Sequence, residues 1–228
     1  MAAARTLALA AATLLALSLS LSQTGCPPAR AQRRSDVPLA DLLQLIVRPR
    51  ELLAIDGSRG SQRVERLEKG ERITWHATRG RVGVVLTDRR VLAVATGSAS
   101  WQEERFRSAE SRPRNAALGD RLALVTTSQR AIGFDGGSGN LVTSSLGPRE
   151  SQVELAIGEN VGVIVTDRRA LGLSPFVGGF FAASLSPGER IEGLSAVSNV
   201  ATLTTSQRLL IFRSEFGSWE ERQLGLRD

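Results

Sequence analysis

The nonapeptide Val84-Val85-Leu86-Thr87-Asp88-Arg89-Arg90-Val91-Leu92 sets two aliphatic runs about a polar tetrapeptide. That is the pattern of two short strands joined by a tight turn. It returns as Leu124-Val125-Thr126-Thr127-Ser128-Gln129-Arg130-Ala131-Ile132, as Val163-Ile164-Val165-Thr166-Asp167-Arg168-Arg169-Ala170-Leu171 and as Thr202-Leu203-Thr204-Thr205-Ser206-Gln207-Arg208-Leu209-Leu210. The closing arginines, Arg90, Arg130, Arg169 and Arg208, stand 40, 39 and 39 residues apart. A step of 40 residues back from Arg90 reaches Arg50, inside the degenerate copy Leu45-Ile46-Val47-Arg48-Pro49-Arg50-Glu51-Leu52-Leu53. A fixed period of this length marks a repeat architecture.

Within the second unit, Ile73–Thr78, Val82–Thr87, Val91–Ala95 and Trp101–Phe106 are short apolar or alternating runs, parted by Arg79-Gly80, Asp88-Arg89 and Gly97-Ser98. They predict a four-stranded meander. Trp101, Leu141, Phe180 and Trp219 open the last strand of their units, and only the first unit departs, with Ser61. The loop Asp135-Gly136-Gly137-Ser138-Gly139-Asn140 matches the turn positions of other units and has neither the ligands of an EF-hand nor the Gly-Lys-Ser/Thr of a phosphate loop. Five units, 36–70, 71–110, 111–150, 151–190 and 191–228, account for one domain over 32–228.

Repeats of about 40 residues with four short strands resemble those of β-propeller repeat proteins in general, over residues 36–228. The Gly-His and Trp-Asp signature of WD40 repeats is missing, so no particular family is indicated. The resemblance implies an all-β, five-bladed β-propeller whose blades close a ring, the first made irregular by Pro38 and Pro49. An aliphatic run before Thr-Asp-Arg-Arg is also similar to bacterial PH-like domains, which bind membranes or proteins. Those need a closing helix and lack this period.

Ahead of the repeats, Arg5 and the apolar run Thr6–Leu21 precede Ala29-Arg30-Ala31, a small-x-small cleavage site. Residues 1–31 are expected to be a signal peptide, leaving a chain that starts at Gln32. Cys26, after Gln23-Thr24-Gly25, is the alternative processing point, as a lipidated cysteine. Either outcome exports the protein to the periplasm or exterior, with membrane attachment only through such an anchor.

Composition narrows the chemistry. The 228 residues include one cysteine, one histidine and no tyrosine, too few for a disulfide or a Cys/His metal site, and no cofactor is expected. Aromatic residues make up 4% and the 29 basic and 23 acidic residues are interspersed, which argues against nucleic acid as a partner. His76 lies alone on a strand. Glu154 and Glu192 fall on first strands, while Asp120 and Glu159 fall in turns, so the convergent carboxylates of an exported glycosidase-like hydrolase are not visible in the spacing. A sugar-binding repeat would need Trp101, Phe180 and Trp219 exposed.

Two expectations attach to the hairpin. Asp88, Ser128, Asp167 and Ser206 are turn formers, each suited to accept a backbone N–H two residues on. Arg50, Arg90, Arg130, Arg169 and Arg208 would form a ring of guanidinium groups on one rim, with Arg89 and Arg168 adding charge where other units have Gln129 and Gln207. The competing role for these arginines is cross-strand pairing with Glu65, Glu103, Glu104, Glu220 or Glu221. The functional expectation is a non-catalytic binding or scaffold module of the cell envelope, facing an envelope protein or an anionic polymer.

Overall fold

The computed structural model describes residues 42–113 and 116–223, and all the strands lie in the unit Leu39–Asp228. The signal peptide, Cys26 and Pro38 fall outside the described residues. The first sheet contains β1 (Leu43–Arg48), β2 (Glu51–Asp56) and β3 (Gln62–Arg66). The second contains β4 (Ile73–Arg79), β5 (Val82–Thr87), β6 (Arg90–Ala95) and β7 (Gln102–Arg105). The third contains β8 (Ala117–Leu118), β9 (Leu122–Thr126), β10 (Arg130–Asp135) and β11 (Asn140–Ser145). The fourth contains β12 (Gln152–Ile157), β13 (Gly162–Thr166), β14 (Arg169–Ser174) and β15 (Gly179–Ser184). The fifth contains β16 (Ile191–Val197), β17 (Val200–Thr205), β18 (Arg208–Arg213) and β19 (Ser218–Gln223).

Every sheet is an antiparallel meander in chain order, four-stranded as expected in the last four units, whereas the first unit departs from the expected four strands with three among the described residues. The Asp135–Asn140 loop joins third and fourth strands, with Asp135 accepting the amides of Gly137 at 2.7 Å and Ser138 at 3.2 Å. In the first blade the hairpin turn is Pro49-Arg50, because Arg48 pairs with Glu51.

Burial shows how the blades stack. β5, β6 and β10 are buried at every position, and their aliphatic runs have no polar alternation because both faces meet another sheet. One apolar cluster joins the first and second sheets through Leu43, Leu52, Val85 and Leu92. A second joins the second and third through Val84, Ala93, Ile132 and Phe134. The third and fourth meet at Leu122, Leu124, Ile164 and Leu173. The fourth and fifth meet at Val163, Ala170, Leu203 and Phe212. Each fully buried Leu, Ile, Val or Phe side chain contributes roughly 1.5–3 kcal/mol.

The outer blades differ. β2 and β17 alternate between buried and partly exposed positions, each burying one face only. Among the described residues no apolar cluster, hydrogen bond or ion pair joins the fifth sheet to the first, so the expected ring closure is not made by them. The residues differ to match: the free faces carry Gln44 and Thr202 where the inner blades carry small or aliphatic residues, and Glu51 where they carry arginine.

Candidate functional site

The recurring hairpin is closed by its threonine. In each of the last four blades Thr87, Thr127, Thr166 or Thr205 turns Oγ1 to the amides two and three residues on, at 2.9–3.3 Å. The expected turn formers one position later act elsewhere. Asp88 accepts the amide of Arg72 at 3.0 Å, and Asp167 that of Ser151 at 3.1 Å. Ser128 and Ser206 do the same for Ser111 at 3.0 Å and Arg190 at 3.1 Å. A side chain on the turn thus holds the connector that leads into its own blade, and the Arg72 amide draws the Asp88 carboxyl below its usual range.

That connector supplies the residue that organises the rim. Leu67–Glu71, Phe106–Glu110, Leu146–Glu150 and Leu185–Glu189 are five-residue turns, each pinned at its start by an amide bond, 2.7–3.1 Å, to the carbonyl of Arg50, Arg89, Gln129 or Arg168 in the preceding blade's hairpin. At its end the glutamate folds back, and its Oε2 accepts the amide three residues earlier at 2.6–2.8 Å. The same carboxylate takes the hairpin arginine side-on. Nε of Arg90, Arg130, Arg169 and Arg208 donates to Oε1 of Glu71, Glu110, Glu150 and Glu189 at 2.8–2.9 Å. Nη2 donates to Oε2 at 3.0–3.2 Å, a bidentate geometry that only arginine offers.

Nη2 then reaches back one blade, to the outer-strand carbonyls of Arg66, Arg105, Ser145 and Ser184 at 2.5–2.9 Å. Each arginine therefore staples its blade to the one before. The outer strands add acids: Arg90 also bonds Glu65 at 3.1 Å and Glu103, Arg130 bonds Glu104, and Arg208 bonds Glu221 at 2.6 Å. Glu220 pairs with Arg213 instead, at 3.2 Å.

The clasp glutamates are 0–3% exposed in their side chains, against 5% for Arg90, 4% for Arg130, 27% for Arg169 and 16% for Arg208. Burial alone would favour the protonated acid. The arginine, the turn amide and the threonine hydroxyl outweigh it, so all four carboxyls lie below their ordinary range, Glu189 at about 2. These are permanent anions held by permanent cations, which removes them as proton donors.

The expected ring of displayed arginines is corrected by this geometry. Arg90, Arg130, Arg169 and Arg208 are spent between blades, because a buried guanidinium needs a buried counter-charge. Arg50 is exposed in its turn, and its position in the sheet is not that of Arg90. Arg89 is half-exposed and bonds Glu68 at 2.9 Å and the Lys69 carbonyl at 3.2 Å, whereas Arg168 is exposed and bonds the Pro148 carbonyl at 3.0 Å. The clasp glutamates were not among the expected site residues. Their signal is a glutamate 19 or 20 residues before each arginine.

Other candidates have structural surroundings. Trp101 is 8% exposed, and the indoles of Trp101 and Trp219 donate to Arg63 O at 3.3 Å and Phe181 O at 2.9 Å, each in the preceding blade. His76 is exposed on β4. Asp120 pairs with Arg79 at 3.2 Å. Among the described residues no group of three or more His, Cys, Asp or Glu is placed to hold a metal ion.

With the clasps buried, the rim of connectors and hairpins presents Arg50, Lys69, Arg72, Arg107, Arg112, Arg149, Arg168 and Arg190 as exposed cations. Acids stand among them: Asp167, Glu103 and Glu221 are exposed, the last two bonded to clasp arginines, and Glu51, Glu68 and Asp88 are half-exposed and paired with arginines. A groove of about 490 Å³ opens on this rim, lined by Ser111, Ser128, Arg149, Ser151 and Gln152 among others.

No family model matches the chain, and no curated protein matches it. Among solved structures it is similar to β-propeller and WD40-type proteins. PorZ of Porphyromonas gingivalis, an essential bacterial surface component of a type-IX secretion system, is 12% identical at a TM-score of 0.39, over 85% of this chain and 28% of its own. BamB from Moraxella catarrhalis is 16% identical at a TM-score of 0.32, over 79% of this chain and 58% of its own. Human WBSCR16 is 13% identical at a TM-score of 0.38, over 63% and 47%. The chain spans less than two thirds of the length of each. The likeness is one of fold, and no function is carried across.

Proposed function

We propose that this protein is a non-catalytic binding or scaffold module of the bacterial cell envelope or exterior, which presents its connector-and-hairpin rim to an acidic protein face or an anionic polymer. The observation that carries this reading is the division of charge. Four glutamates are buried against four buried or half-buried arginines, three of which also hold outer-strand acids, while the exposed rim keeps Arg72, Arg149, Arg168, Arg190 and their basic neighbours. A rigid stack of blades holds these cations at fixed spacing, which suits an extended anion more than one small ligand. The same clasp supports a non-catalytic role, since the repeated carboxylates are committed as structural anions.

Export follows from residues 1–31 in this reading, with lipidation at Cys26 the variant that would add a membrane anchor. Mass spectrometry of the mature N-terminus separates the two. Binding is tested by retention of the purified protein on immobilised polyphosphate and on an acidic envelope fraction. Retention should fall with salt, because exposed charges are screened over about 8 Å at physiological ionic strength. Arg72→Gln, Arg149→Gln, Arg168→Gln and Arg190→Gln together should remove it without changing the thermal transition. Retention that ignores both salt and these substitutions overturns the reading.

A further inference from the structure

We infer that this protein associates with a second copy of itself head to tail, the free face of the fifth sheet docking on the free face of the first sheet of its neighbour. This goes beyond the rim reading and uses different residues. It starts from four blade-to-blade interfaces of one design, which among the described residues leave a half-interface without a partner at each end.

Both free faces keep an apolar centre. On the first sheet Ile46, Leu53 and Val64 lie in one row across β1, β2 and β3, and Val64 is 53% exposed. On the fifth, Val197 and Val200 pair across β16 and β17 and are 68% and 41% exposed, with Ile211 and Leu209 partly exposed on β18. Isolated exposed aliphatics are ordinary, but here they fall on the two faces that every inner blade buries.

The charges show which face meets which. At the first two of the four inner junctions an acid on the outer strand, Glu65 or Glu104, meets the arginine of the next blade, Arg90 or Arg130, whereas the other two have Ser144 and Ala183 at that position. Glu104 lies opposite Val91, and the corresponding residue of the fifth sheet, opposite Leu209, is Arg222. Arg90 opens its strand opposite Arg105, and the corresponding residue of the first sheet, opposite Arg66, is Glu51. Acid and base have exchanged places on both sides at once. A change on one side alone would set like charges together, whereas the double exchange keeps an attractive pair and admits only this junction.

Polarity is exchanged in the same matched way. An added Cβ at Gly83 would sit 2.8 Å from Leu43 and 3.2 Å from Leu45, so inner junctions want a small residue there facing aliphatics. Gln44 holds that position on the first sheet, and the facing pair on the fifth sheet becomes Val200 and Thr202, which removes bulk and offers a hydroxyl to the amide. Such a contact between unlike faces is heterologous and builds rings or open filaments.

Sedimentation velocity of the purified protein across a wide concentration range tests this. The expected result is mass rising above the monomer with concentration. Glu51→Arg and Arg222→Glu, both on accessible positions, should each weaken association by about tenfold or more, because each sets like charges opposite one another. Mixing the two variants should restore it, which closure of one chain upon itself cannot do. Ile211→Asp should also dissociate the assembly while the thermal transition is kept. A protein that is monomeric throughout, or whose association ignores all three substitutions, overturns the inference, and either result leaves the rim's polyanion binding to be judged by its own salt dependence.

Discussion

Glu51 holds in the first blade the register that Arg90 holds in the second: Glu51 lies opposite Arg66 on the neighbouring outer strand, as Arg90 lies opposite Arg105. Arg48, in the place of Thr87, pairs with this glutamate at 3.3 Å on the surface. The first blade therefore receives a clasp from Arg90 and offers none to a blade before it. Stability in such a stack is close to a sum of blade and junction terms, so each clasp can be weighed separately.

Arg130→Met should cost more than the same change at Arg169. The Arg130 side chain is 4% exposed, and its loss leaves Glu110 charged and 0% exposed. Breaking a buried pair from one side costs about 3–5 kcal/mol. Arg169→Met strands Glu150 beside a site where the arginine is 27% exposed and no outer-strand acid takes part, so water replaces some of the contacts and about 1.5–3 kcal/mol is expected. Denaturant titration of the two variants checks the order.

Acid should release the clasps at a lower pH than surface carboxylates would. Glu189 is ionised in the fold down to about pH 2, below the ordinary range near 4.3 for an unfolded chain. A folded value depressed in this way contributes stability that is complete above the unfolded value and lost as pH falls through the folded one. Melting temperature should hold steady from neutral pH to about pH 5 and then fall toward pH 2. Glu189→Gln should lower it at neutral pH and flatten that acid slope.

The blades were legible because aliphatic runs and turn residues act locally, and Ile73–Thr78, Val82–Thr87 and Val91–Ala95 correspond to β4, β5 and β6 within a residue or so. The clasp was not, because Glu71 and Arg90 meet only when a connector returns on a hairpin 19 residues later. The four connectors share little besides an apolar first residue and a glutamate last, and the spacing slips to 20 at Glu110. Counting residues also misplaced Arg50 by one, since a count of 40 ignores the pairing that puts Glu51 in register. Asp88 invited a local turn role that its neighbour Thr87 fills, the true partner being the amide of Arg72 in the connector before β4.

Arg149→Gly should stabilise the protein. Arg149 sits at φ 64° in the connector position where two other units place Gly70 and Gly188, at φ 78° and 82°. A side chain in left-handed backbone costs roughly 1–2 kcal/mol, partly returned as glycine frees the unfolded chain, so a net gain of about 0.5–1 kcal/mol is expected. Thermal melts of Arg149→Gly, and of Gly188→Arg as the reverse change, should move in opposite directions.

Gly172→Ala should damage the junction between the fourth and fifth blades, and a second substitution should repair it. An added Cβ on Gly172 would lie 2.7 Å from three ring atoms of Phe212, which is fully buried. The ring has little room to retreat, since its centroid is 5.0 Å from that of Trp219 and 6.2 Å from that of Phe181. Overpacking of this kind costs about 1–3 kcal/mol. Phe212→Leu alone opens space and should also destabilise, through lost burial. With both changes the methyl group occupies part of the vacated volume, so the double variant should be more stable than the sum of the two losses allows, by an interaction energy of about 0.5 kcal/mol or more. A double-mutant cycle measured by denaturant unfolding gives that quantity directly, and strict additivity would mean that Gly172 does not support Phe212 across the blades.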